Sequence, residues 1–266
     1  MNIILCGPGR SGTTLFNTLF SYHKDFAWIS GWVNRYPSLL VLSFFNTIYR
    51  FNFLHNSLRK TPYLPKPAEA YGFWNYYILN FTSQNGQVSQ TEIKKVSRVI
   101  EAIKHYSRCN HFVTKITGQT RHKLLDAIFK NDITYIWIER DPRVVVSSYI
   151  KQKWGYKKNP LAFSELSMEE KIRINCNRYL EFYHESKAIE KKVLFYEDLC
   201  NDPLLFFEEL FQELALNFEL NHRKFIANHS IKKVTWENTY KHTFEPNHQA
   251  LFNELLATPL KHYGYL

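Results

Sequence analysis

Hydrophobic positions in this chain fall into short unbroken runs that alternate with stretches of helical periodicity. Residues 2–6 contain the run Ile3-Ile4-Leu5-Cys6, which predicts a strand buried on both faces. A glycine turn follows, and residues 13–22 read as a helix, so the chain opens as strand–loop–helix. Residues 26–85 are aromatic-rich and irregular, with helical stretches predicted at 38–53 and 69–80. The prolines at 62, 65 and 67 separate those two stretches and exclude a regular helix there. In residues 90–106, Ile93, Val96, Val99, Ile100 and Ile103 share one helical face. Residues 111–116 and 134–139 predict strands, and 124–129 part of a helix. Pro142 suits the first turn of the helix that follows. Ser167 and Glu170 form a capping-box pattern opening a long helix over 167–190. Residues 193–196 predict another strand, and Asp202-Pro203 the start of a helix. A last helix is expected over 248–261. Strands alternating with helices predict an α/β fold, a central parallel sheet with helices on both faces.

Composition adds limits. The 266 residues suit one domain, and 45% apolar content supplies a large core. Most of the 21 Phe, 17 Tyr and 6 Trp are expected in that core. A net charge of +10 calls for anionic partners, but the Lys/Arg pairs are isolated and form no nucleic-acid arm. Charge alone does not point to a membrane surface either. Cys6, Cys109, Cys176 and Cys200 show no CxxC spacing, so no zinc or redox site is expected. The run before the glycine turn has no basic leader segment, so it does not read as a secretory signal. The longest later apolar stretch, residues 39–45, is far below the ~20 residues that cross a bilayer. These features predict a soluble, cytoplasmic protein with no transmembrane segment.

The candidate chemistry begins at Gly7-Pro8-Gly9-Arg10-Ser11-Gly12-Thr13-Thr14. Glycines let backbone N–H groups approach an anion, and the helix behind adds partial positive charge. Ser11, Thr13 and Thr14 add hydroxyls, and Arg10 adds a permanent charge. The nucleoside-triphosphate loop G-x-x-x-x-G-K-S/T needs a lysine where this chain has Thr13, which argues against ATP or GTP hydrolysis. Farther on, Arg140 leaves a strand end, and Ser148 follows about two helical turns later. An arginine fork with a hydroxyl suits a phosphate dianion.

Gly9-Arg10-Ser11-Gly12-Thr13-Thr14-Leu15 resembles the P-R-S-G-T-T-L loop of PAPS-dependent sulfotransferases, which include tyrosylprotein-type and bacterial members. One departure is Gly9 where many members have proline. Arg140-Asp141-Pro142-Arg143 with Ser148 resembles the family's R-D-P-R-x-V-x-x-S segment, and Tyr196-Glu197-Asp198-Leu199 its Y-E-D-L segment. The ending Tyr263-Gly264-Tyr265 resembles its L-G-Y tail. The matches span residues 3–265, with 26–110 matching poorly.

The resemblance implies a P-loop NTPase-like sulfotransferase fold in one domain, residues 1–266, with residues 26–110 a mostly helical acceptor-binding insertion. It implies PAPS as donor and PAP as product, with no metal. The 5′-phosphosulfate falls to Gly9, Arg10, Ser11, Gly12, Thr13 and Thr14, and the 3′-phosphate to Arg140 and Ser148. Tyr196 is expected against the adenine, and Lys241 is a further donor-site candidate. Lys115, 25 residues before Arg140, stands near the spacing of the family's catalytic lysine.

The general base does not carry over. The tyrosylprotein-type glutamate has no counterpart in residues 27–35, and the histidine of the steroid and phenol types is Thr117. Glu69, in an aromatic setting where burial raises basicity, is the candidate, ahead of His23 and His55. His23 is expected to satisfy carbonyls at the end of its own helix. Arg35, Trp32 and Trp74 are acceptor-site candidates. The acceptor is a hydroxyl or amine on a saccharide, lipid or small molecule, with the basic charge favouring an anionic glycan. Two alternatives stand: an ATP-dependent small-molecule kinase on the same core, and a non-catalytic nucleotide- or glycan-binding relative.

Overall fold

The computed structural model describes residues 1–50, 64–79, 81, 88–119, 121–130, 132–152 and 160–266. Among the described residues five strands form one sheet: β1 (Asn2–Gly7), β2 (Phe26–Ala27), β3 (His111–Thr117), β4 (Thr134–Glu139) and β5 (Lys192–Phe195). They lie in the order β2-β3-β1-β4-β5, and every pairing is parallel. A parallel sheet covered on both faces needs continuous apolar runs. In β1, Ile4 and Cys6 join one core while Ile3 and Leu5 join another, all four fully buried.

Helices close both cores. The apolar faces of helices Gln90–Ser107 and His122–Phe129 cover the Ile4–Cys6 side. Helices Thr13–Ser21, Pro203–Glu213 and Leu220–Asn228 cover the other. A third cluster joins helices Pro142–Lys151, Met168–Ser186 and Pro246–Leu255. Each large apolar side chain buried in this way stabilises the fold by about 1.5–3 kcal/mol.

Local rules set the helix starts. Ser167 Oγ accepts from Glu170 N at 3.2 Å while the Glu170 carboxylate accepts from Ser167 N at 2.8 Å. Asp202 accepts from Leu204 N and Leu205 N ahead of Pro203. Asp141 accepts from Arg143 N at 2.9 Å, and Pro142 takes the first helical position.

Several expectations change. β2 falls in the stretch read as irregular, because two residues are too few to carry a periodicity. The helical stretch at 38–53 is a 3-10 helix, Leu40–Arg50, and residues 51–53 lie outside the described residues. His55 and residues 61–63 lie there too. Tyr196 begins a helix, Tyr196–Asn201, rather than ending a strand. The tail forms two helices, Pro246–Leu255 and Ala257–His262. His23 does not serve its own helix: Nε2 donates to the Asn217 carbonyl at 2.7 Å while Nδ1 accepts from Asp25 N. Among the described residues no helix is long and apolar enough to cross a membrane.

This topology positions a site. The chain starts in the middle of the sheet, places β2 and β3 on one side of β1, and then crosses to β4 and β5 on the other. Ligands of open parallel sheets gather beyond the carboxyl ends of the strands at such a reversal.

Candidate active site

The loop after β1 crosses that crevice. Gly7 has φ +151°, and a Cβ there would sit 2.5 Å from the Ile138 carbonyl oxygen of β4. Gly12 has φ +105°, and a Cβ there would lie 2.4 Å from the Tyr196 ring. Arg10 also holds a left-handed conformation, φ +71°, which a side chain adopts only where its surroundings enforce it. The loop then becomes the first turn of helix Thr13–Ser21, whose leading N–H groups have no partner within the helix. The helix dipole adds partial positive charge at the same point.

Cations surround this loop. Arg10 Nε donates to Ser148 Oγ at 2.9 Å, which ties the loop to helix Pro142–Lys151. Arg140, at the end of β4, lies with its guanidinium 4.1 Å from the centre of the Tyr196 ring and donates to the Val234 carbonyl at 2.6 Å. The Tyr196 hydroxyl donates to the Lys232 carbonyl at 2.8 Å, and burial pushes its pKa up to about 12.

Lys115 sits inside the predicted strand and is buried. It lies within β3, opposite Leu5, and is 3% exposed. Its Nζ donates to Thr14 Oγ1 at 2.8 Å and pairs with Glu69 Oε1 at 2.7 Å. Burial pushes the Lys115 pKa down, and the Glu69 carboxylate pulls it partly back. Glu69 also accepts from Thr117 Oγ1 at 3.3 Å, and the Tyr71 hydroxyl donates to the Thr117 carbonyl at 2.8 Å. Burial, the expected source of basicity at Glu69, is not what surrounds it: its side chain is 46% exposed and faces the cleft. Its position comes from Lys115 and Thr117 instead.

These groups open onto one cleft of about 820 Å³. Its floor is the loop from Gly9 to Thr14, and its walls include Glu69, Thr117, Arg140 and Tyr196. Ser11, Lys115 and Ser148 lie buried beneath it. Tyr71, Tyr149, Arg178 and Phe182 also line it, and the sequence reading missed them. Their only sequence signal is an aromatic or cationic residue on a helix, which surface and core positions share.

The residues fit an anionic group. The buried atoms Ser11 Oγ, Tyr149 Oη and Arg140 Nε have no hydrogen-bond partner among the described residues. Unmet buried polar groups are costly, and the acceptor oxygens of a phosphate are of the kind that would satisfy such donors.

Four expected site residues lie elsewhere. Trp74 is fully buried and stacked on Phe81 in the core, leaving no face for a substrate. Trp32 packs on Phe45, and Arg35 is exposed beside Tyr36; neither lines the cleft. Lys241 pairs with Glu237 at 2.7 Å, outside the cleft. Tyr196, expected against an adenine, lines the cleft, with Arg140 over its ring and Gly12 abutting it.

Behind Arg140 lies a buried acid that the sequence reading also missed. Glu139 accepts from Arg140 N at 3.1 Å, Tyr179 Oη at 2.8 Å and Trp137 Nε1 at 2.9 Å. Burial raises its pKa to about 7 against the pull of these donors. Glu197 accepts from Asp141 N at 3.1 Å and Tyr265 Oη at 2.8 Å, so the C-terminal tail holds the same turn. Among the described residues no group of three or more His, Cys, Asp or Glu side chains is arranged to hold a metal.

A search of curated proteins finds no match. Among solved structures, the sulfotransferase STF9 from Mycobacterium avium aligns at 15% identity and a TM-score of 0.64, over 98% of this chain and 76% of that one. Mouse sulfotransferase SULT7A1, complexed with PAP, aligns at 12% identity and a TM-score of 0.50, over 98% of this chain and 84% of that one. At these identities the likeness is one of fold. Residues 2–219 match the sulfotransferase family, a span that includes the loop, Glu69, Lys115, Arg140 and Tyr196, and the chain therefore belongs to that family.

Proposed function

We propose that this protein transfers a sulfuryl group from PAPS to a hydroxyl or amine of a saccharide, lipid or small-molecule acceptor and releases PAP. The observation that carries the reading is Lys115 Nζ, buried between Thr14 of the anion loop at 2.8 Å and Glu69 at 2.7 Å. When bound, PAPS supplies a sulfuryl group on a phosphate leaving group. The amides and hydroxyls of Gly9–Thr14, with Arg10, hold its 5′ end, and Arg140 with Ser148 receives the 3′-phosphate. The PAP complex of the mouse sulfotransferase supports this donor class.

Lys115 carries its proton at Nζ and meets the negative charge that develops over the loop. Glu69 faces the open side of the cleft and takes the acceptor's proton at Oε2, since Oε1 already accepts from Lys115 and Thr117. This division supplies the base that the family's glutamate and histidine positions lack. Tyr71, Arg178 and Phe182 border the acceptor side, and a cation among aromatics suits an acceptor with an acidic group. The four cysteines are unpaired, which supports a reducing, cytoplasmic setting.

Calorimetry with PAP and with ATP·Mg²⁺ tests the donor, and transfer from labelled PAPS to a panel of acceptors tests the reaction. PAP binding and labelled product are expected. Binding of ATP·Mg²⁺ without PAP refutes the donor, and PAP binding without turnover on any acceptor favours a non-catalytic role.

A further inference from the structure

The longest apolar run after β1, residues 39–45, turns its bulkiest side chains outward. Most of it belongs to the 3-10 helix Leu40–Arg50, where residues three apart share a face. The inner side of that helix mixes polar and apolar groups: Ser43, Asn46 and Tyr49 are buried, and Leu40, Leu42 and Ile48 pack against the cores. Ser43 and Asn46 are 0% and 1% exposed; Asn46 Nδ2 donates to the Trp28 carbonyl, and Ser107 Oγ donates to the Ser43 carbonyl. The outer face is apolar. Val41 and Phe44 are 53% and 47% exposed, with Tyr36, Leu39 and Phe45 beside them. A helix that keeps valine and phenylalanine outward, beside an exposed tyrosine and leucine, presents a surface suited to cover by something other than water.

Cations rim this surface. Arg108 lies over the Phe44 ring at 5.8 Å and Arg35 over Tyr36 at 5.6 Å. Leu40 shares a groove of about 500 Å³ with Lys94, Lys95 and Arg98 of helix Gln90–Ser107. All five cations are exposed, and none forms an ion pair among the described residues. The two acids of that helix are engaged elsewhere, Glu92 by Ser89 N and Leu79 N, and Glu101 by Lys104.

We propose that this face docks on an anionic lipid bilayer. Val41, Phe44 and their neighbours enter the boundary between headgroups and acyl chains, and Arg35, Lys94, Lys95, Arg98 and Arg108 meet acidic headgroups. Charge complementarity selects this occupant over a second copy of the chain. A two-fold interface sets the same patch against itself and would bring the five cations toward their own copies. The helix that carries this face also reaches the cleft, which Tyr49 lines. Ser30 bridges Pro67, and Gly31 N donates to the Lys66 carbonyl at 2.8 Å, in the strand-like segment that continues into Glu69.

Co-sedimentation with phosphatidylcholine vesicles, with and without phosphatidylserine, tests the proposal and does not depend on sulfuryl transfer. The parent is expected to partition onto phosphatidylserine vesicles, less so as salt rises, and not onto phosphatidylcholine alone. Lys94→Ala with Arg98→Ala lowers that partitioning about thirtyfold, from two headgroup contacts. Val41→Ser with Phe44→Ser abolishes it without lowering the melting temperature, because both side chains are exposed. Three outcomes overturn the proposal: no binding of the parent to phosphatidylserine vesicles, equal binding of parent and variants, or a concentration-dependent dimer that Phe44→Ser dissociates.

Discussion

Replacing Lys115 by methionine separates its chemistry from its structural cost. Methionine keeps most of the length and the apolar stem while deleting the charge and both contacts of Nζ, to Thr14 Oγ1 and Glu69 Oε1. Burial is the main reason that the Lys115 pKa lies below its ordinary value, so the folded protein carries this ammonium at a cost that Glu69 only partly offsets. The melting temperature of Lys115→Met is therefore expected to equal or exceed the parent's. Turnover moves the other way. A donor aimed at charge developing in the transition state contributes about 2.7–4 kcal/mol, or about 10²–10³ in kcat. PAP affinity loses no more than one hydrogen bond, about tenfold. The pH profile gives an independent sign. The ammonium is lost as pH rises through a pKa lowered from 10.5, so kcat of the parent falls on an alkaline limb that begins earlier than for an ordinary lysine. The methionine variant lacks that limb. Initial rates at saturating PAPS, PAP calorimetry and thermal melting measure the three quantities. A kcat within about tenfold of the parent, or a PAP affinity that falls as far as the rate, refutes the role of Lys115.

Arg140→Ala weakens PAP binding by about 1.5–3 kcal/mol for the charged hydrogen bond lost, and unchanged calorimetric affinity removes Arg140 from the 3′-phosphate. Gly12→Ala puts a methyl 2.4 Å from a Tyr196 ring that Arg140 and the Lys232 carbonyl hold in place. With a φ of +105° besides, it lowers stability by at least about 1 kcal/mol together with PAP affinity, and an unchanged urea midpoint contradicts this. Glu139 holds its proton up to about pH 7 in the folded protein, whereas the unfolded chain releases it near 4.5. Stability contributed by that proton is present below pH 4.5 and is lost as pH rises through 7, about 3 kcal/mol in all. Glu139→Gln flattens the slope in urea melts taken across this range, and parallel curves for variant and parent refute the assignment.

Much of the donor site was legible in the chain. The loop Gly7–Thr14 shows its chemistry because its residues are neighbours in sequence and lie between a strand and a helix. The strand containing Lys115, the Asp141-Pro142 helix start and the Ser167–Glu170 box are equally local, since apolar runs and caps act within one element. The acceptor side was less legible. Trp74 and Glu69 share one aromatic stretch, yet one is core and the other lines the cleft. Periodicity could not separate them, because the helix Tyr71–Tyr77 is two turns long and Glu69 precedes it. The outward face of residues 39–45 was hidden for a related reason. An apolar run in sequence predicts burial and carries no sign of which neighbour, or which solvent, provides it.

The sequence alone therefore determined the alternation of strands and helices, the anion loop and the candidate cations on or just after later strands, because each rests on residues a few positions apart. Only the tertiary structure decided that Lys115 is buried, that Glu69 is its partner, and that Arg140 lies over the Tyr196 ring. The reason is register. Parallel pairing of β1 with β3 sets Leu5 opposite Lys115 and Gly7 opposite Thr117, which brings residues about a hundred positions apart to one end of the sheet. No local pattern encodes that meeting, and the candidate catalytic pair exists only because of it.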